Sequence, residues 1–263
     1  MKKGLLLFIL FLSFQGYSQK DSIVNYLGRK YEKISKDKAW YIQTIVKKKD
    51  LWRATVYFLN GKPKLDGTFK ERKLKTRVGI FKVYNEQGKL KSIQKYNSKG
   101  KKQGNYFYFN DDGEQIISGF FQNSKRESVW KYFDDAKNVR ARVLFKKGKV
   151  LNYKLWNEYG EVLKEKLILS RKPEFKSGFE SFKLKLKKEL VKGLEKEGLK
   201  TNFLVKIQIT DSGKINKVSI VPKLKEQYEN RIKDFFYNLK DVEPAILVNR
   251  KISSNLSLPI IIN

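Results

Sequence analysis

Two adjacent carboxylates, Asp111 and Asp112, stand between an aromatic run and a glycine in the stretch GNYFYFNDDG, residues 104–113. Paired carboxylates can serve as general acid and base, or hold a divalent cation. The residue types that complete most other active sites are missing, because the chain has no cysteine and no histidine. Thiolate nucleophiles, Cys/His zinc sites and Ser-His-Asp triads are therefore excluded. No imidazole is available to carry a proton near neutral pH. Asp111–Asp112 is the best pair that remains, and its surroundings argue against it. The stretches NEQG (85–88) and NEYG (157–160) hold the same place in a repeat, so a turn accounts for the acids. Adjacent residues of an extended strand also point to opposite faces. The reading is a non-catalytic protein with no metal and no cofactor.

The repeat that positions this pair is spelled by aromatic-x-x-x-Gly. Tyr57 precedes Gly61, Tyr84 precedes Gly88, Phe109 precedes Gly113 and Trp156 precedes Gly160, while Phe133 keeps the phase with Lys137 in place of glycine. A second set, Phe69, Tyr96, Phe121 and Phe145, keeps time with the first. Turn signals such as NGKP, NSKG and KKGK lie between. Asn, Asp and Gly tolerate the left-handed backbone of tight hairpin turns. Each unit reads as a hairpin that stacks on its neighbours. The expectation is a repetitive antiparallel β-sheet from about Ala39 to Leu163, with the aromatics as core and cross-strand pairs rather than a stacking surface for sugars or bases.

The pattern changes near Pro173. Ser177-x-x-Glu180 predicts a capping box opening a helix with apolar Phe179, Phe182, Leu186, Leu190 and Leu194, closed by Gly198. Residues 202–221, NFLVKIQITDSGKINKVSIV, predict a hairpin, and Ile232, Phe235, Phe236 and Leu239 a second helix. A proline-bearing connection and a final strand, Leu256 to Ile262, close the chain. The division expected is 1–18 signal peptide, 19–172 repeat domain and 173–263 C-terminal domain.

At the start, Lys2 and Lys3 precede an apolar run from Leu5 to Phe14, and Gly16-Tyr17-Ser18 offers small residues to a signal peptidase. The run is about half of the ~20 residues that span a bilayer. Cleavage near Ser18/Gln19, a periplasmic or secreted location and no transmembrane segment in the mature chain are the expectations.

Two resemblances add to this. YNSKGKKQGNYFYFNDDG (96–113) and GIFKVYNEQGKLKSIQKY (79–96) resemble MORN-type repeats, most closely those of bacterial antitoxin-type proteins. VKIQITDSGKINKVSIV, EPA (243–245) and LPIII (258–262) make residues 173–263 resemble a TonB C-terminal domain. That family implies two helices on a three-stranded antiparallel sheet. It also implies a partner peptide, such as a segment of an outer-membrane receptor, added as a strand beside the last one. The candidate edge is Leu256, Ser257, Leu258, Ile260, Ile261 and Ile262. Three alternatives accompany this protein-binding reading. One is a TonB-type energy transducer with an uncleaved anchor, which the short apolar run and only five prolines disfavour. Another is an antitoxin- or immunity-like binding protein.

The third alternative, a binder of anionic envelope glycolipid, comes from charge. The net charge is +31. Residues 19–172 hold 38 basic and 16 acidic residues, and residues 173–263 hold 18 and 11, so the repeat region is the basic one. Its clusters include KKK (47–49), KERKLKTR (70–77) and FKKGK (145–149). Such a surface attracts polyanions. A signal peptide and the lack of a nucleic-acid motif turn the reading from nucleic acid towards anionic envelope components.

Overall fold

A computed structural model describes residues 22–262; the expected signal peptide lies outside them. The protein is mainly β, with an α+β C-terminal part, and its chain divides into two units at Leu163/Lys164.

The first unit is one antiparallel meander of twelve strands, each paired with the next in sequence. They are β1 (Ser22–Leu27), β2 (Tyr41–Lys48), β3 (Leu51–Phe58), β4 (Pro63–Phe69), β5 (Arg77–Tyr84) and β6 (Leu90–Tyr96). There follow β7 (Lys102–Phe109), β8 (Gln115–Gln122), β9 (Lys125–Phe133), β10 (Val139–Lys146), β11 (Lys149–Trp156) and β12 (Val162–Leu163). Among the described residues the sheet therefore already runs from Ser22, ahead of the expected start near Ala39. SIVNYL precedes the first aromatic-x-x-x-Gly unit and lacks its turn.

The turns explain the repeat. In those of the aromatic-x-x-x-Gly phase, the residue at the asparagine position donates its N–H to the carbonyl of the residue four further on, as Asn85 N–H does to Lys89 O at 2.9 Å and Asn110 N–H to Glu114 O at 2.8 Å. The asparagine side chain then accepts from the turn's own backbone. Asn110 Oδ1 takes the N–H groups of Asp112 and Glu114 at 3.0 and 2.9 Å. The fourth position needs a left-handed backbone, with φ of 82° at Gly88 and 90° at Gly113. Lys137 adopts φ 65° at the same phase, so the fold imposes the conformation even where the glycine is lost.

One face of this sheet is the core. Phe69, Phe81, Tyr96, Phe121, Trp130 and Phe145 are all buried. Successive rings meet edge-on, at 5.1 Å for Phe69–Phe81, 5.0 Å for Phe81–Tyr96 and 5.0 Å for Phe121–Trp130. Gly67 and Gly119 are mid-strand glycines whose missing side chains make room for the rings of Phe81 and Trp130. The second aromatic set is thus core, each ring contributing about 1.5–3 kcal/mol by burial.

The second unit starts before Pro173, because β13 (Ser170–Arg171) pairs with β18 (Ala245–Leu247). The helical run comprises α1 (Phe179–Leu186), a π turn over Lys187–Val191 and α2 (Lys192–Lys196). Its predicted capping box is absent. The cap residue is Gly178 at φ 84°, with no side-chain capping bond. Ser177 N–H instead donates to Asp241 Oδ2 at 3.0 Å, and Glu180 turns to Lys183 at 2.8 Å. Gly198, at φ 84°, does close the run. β15 (Phe203–Ile209) and β16 (Ile215–Val221) form the predicted hairpin, followed by α3 (Glu226–Tyr237). β14 (Glu174–Phe175) pairs with β17 (Val242–Glu243), and β18 with β19 (Arg250–Ile252). The last strand, β20 (Ser254–Ile260), pairs antiparallel with β15, giving the order β16-β15-β20. Leu190, Leu194, Ile207, Ile232 and Phe236, each at most 1% exposed, form the centre of its core.

Candidate functional site

The acid pair is a turn. Asp111 Oδ1 accepts from Lys91 Nζ at 3.0 Å and from Asn85 Nδ2 at 3.3 Å. Asp112, 84% exposed, faces a different lysine, Lys89, at 3.6 Å. Partial burial pushes the Asp111 carboxyl up, but Lys91, Asn85 and Lys89 outweigh it and hold it below the usual carboxylate range. A base held ionised by lysine and partnered in its own turn ladder is poorly placed for proton transfer at neutral pH. The same ladder runs on through Asn110 Nδ2, which donates to Asp135 Oδ1 at 3.0 Å.

The candidate strand edge has a distinct geometry. The C-terminal sheet has two outer strands, β16 and β20. On β16 the Val218 N–H donates to Tyr237 Oη at 3.3 Å, so a side chain from α3 takes one backbone N–H of that strand. β20 has a strand on one side only. Proline is tolerated within a sheet where its nitrogen faces the open side. Pro259 opposes Leu204 of β15, and alternation then turns the backbone of Asn255 and Ser257 to the open side as well. Pro259 blunts the far end of that edge, a device that limits uncontrolled pairing. At the near end the Ser254 hydroxyl is buried without a hydrogen-bond partner.

The sequence-predicted residues divide accordingly. Leu256, Ser257, Leu258 and Ile260 lie in β20, whereas Ile261 and Ile262 lie beyond its end. Ile261 is exposed; Ile262 is buried and spends its N–H on Asn202 Oδ1 at 2.8 Å. Leu258 and Ile260 are buried in the unit's core. Ser254 and Asn255 belong to the strand and were missed, because Ser-Ser-Asn reads as loop. The proline at 259 was the available signal for an open edge.

No family model matches the chain, and no curated protein matches it either. Among the described residues no helix is long and apolar enough to cross a membrane.

Proposed function

We propose that this is a non-catalytic binding protein of the cell envelope that takes an extended peptide as an added strand on the outer edge of β20. The observation that carries the reading is the asymmetry of the C-terminal sheet: on one outer strand Tyr237 takes the Val218 N–H, and the other presents main chain at Asn255 and Ser257. Strand addition draws its affinity from main-chain hydrogen bonds and asks little of side chains. The resemblance to a TonB C-terminal domain supports the same edge and suggests a segment of an outer-membrane receptor as the peptide.

The test is photocrosslinking in the cell, with the probe placed at Asn255 and, as a control, at Lys217 on β16. The expected result is a discrete protein adduct from Asn255 only, crosslinked through one short segment. Equal adducts from both edges, or none from Asn255, would overturn the proposal.

A further inference from the structure

The first unit holds a groove of about 910 Å3 that the C-terminal reading does not use. Its size falls in the range of small-molecule sites, roughly 300–1,000 Å3. Ile23, Ile45, Leu65 and Phe69 line its floor, contributed by β1, β2 and β4. The connection 70–76 between β4 and β5 forms the opposite wall. It is fastened by Lys70 N–H to Thr76 O at 2.9 Å and by Leu74, which packs on the core cluster beneath. Leu74 reaches that position with φ 55°, a left-handed backbone unusual for leucine.

Charge on the walls is of one sign. Lys33, Arg72, Lys73, Lys75 and Arg77 line the groove, and no carboxylate is among the described residues that do. Glu71, the acid of the same loop, is turned away to its own backbone, taking Thr76 N–H at 3.0 Å. Deeper in, Asn25 Nδ2 donates to Gln43 Oε1 at 3.0 Å, so the polar groups of the floor satisfy each other. Like charges gathered over an apolar floor repel one another and gain nothing from the floor alone. An occupant with an anionic head and an aliphatic tail would complement both.

We infer that the groove under residues 70–76 binds a single-chain anionic amphiphile, its alkyl chain over Ile23, Ile45, Leu65 and Phe69 and its phosphate or carboxylate among Arg72, Lys73, Lys75 and Arg77. This site belongs to the repeat unit and is independent of strand addition at β20.

Calorimetry on the full chain with dodecyl phosphate, kept below its micelle concentration, tests the inference. Saturable binding of one amphiphile per chain is expected. Dodecanol, which lacks the anion, and inorganic phosphate, which lacks the tail, should each bind at least tenfold more weakly. The double variant Lys73→Glu/Lys75→Glu changes exposed side chains and should weaken dodecyl phosphate at least tenfold, whereas Lys131→Glu, on the sheet's other face, should leave it unchanged. Equal binding of dodecanol would reduce the site to an apolar surface, and equal binding of phosphate to a patch of charge. Undiminished binding by the double variant, or equal loss in Lys131→Glu, would also overturn it.

Discussion

The two units of this chain are specified in opposite ways. In the repeat sheet every strand pairs with its sequence neighbour, and the turns in the aromatic-x-x-x-Gly phase each close within five residues by one pattern of hydrogen bonds. In the C-terminal unit two local hairpins are joined by distant pairings: Phe203 with Ile260, Ser170 with Leu247, Phe175 with Val242. Local repeats add stability unit by unit, whereas a core closed by distant pairings forms or fails as a whole. The difference also separates surfaces. The repeat sheet leaves its basic wall on a connection between strands, and the C-terminal unit leaves an open backbone edge at the end of the chain.

Core deletions should break the contrast most visibly. Phe236→Ala, at a fully buried site, should cost about 3–5 kcal/mol. It should abolish hydrogen-exchange protection throughout residues 164–262 while that of β5–β9 persists. Gly119→Ala would drive a methyl group into the Trp130 ring and should cost about 1–3 kcal/mol. In this case exchange should rise around β8 and β9, with the C-terminal unit unmoved. Lys137→Gly relieves a positive φ and should stabilise the repeat unit by about 1 kcal/mol, readable as a higher denaturant midpoint of that unit alone.

A pH series sharpens the same contrast. Hydrogen bonds from Arg53 at 2.8 and 2.9 Å lower the Asp66 pKa most, and Thr55 adds to them, against the upward push of partial burial. A carboxylate with a depressed folded pKa contributes stability above its unfolded pKa and loses it as pH falls through the folded value. Wild type should therefore exceed Asp66→Asn in repeat-unit stability at neutral pH, and the gap should close on acidification below the ordinary aspartate range. A gap independent of pH would contradict the ionic account.

Much of the repeat unit was legible because its rules are local. Aromatic-x-x-x-Gly fixes the turn, and alternation fixes the face. The hairpin 202–221 and the helix carrying Ile232 and Phe236 were legible for the same reason. What escaped was decided at a distance. Ser177 matches a capping box by spacing, but Asp241, far along the chain, takes its N–H. KERKLKTR reads as a run of charge, and only the fold shows that its one leucine pins the run over a groove. The final strand is legible as a strand, yet it ends at Ile260 rather than Ile262. Ile262 looks like a strand residue until Asn202 claims its backbone.

The central claim is that partner binding depends on outward main chain at β20, and the sharpest measurement compares two substitutions at Ser257. Ser257→Pro removes one N–H from the open edge, and Ser257→Ala removes only the side chain. With the crosslinker at Asn255, the account predicts that the adduct disappears in Ser257→Pro and persists in Ser257→Ala, with both variants folded by circular dichroism. Persistence in the proline variant, or loss in the alanine variant, would contradict it.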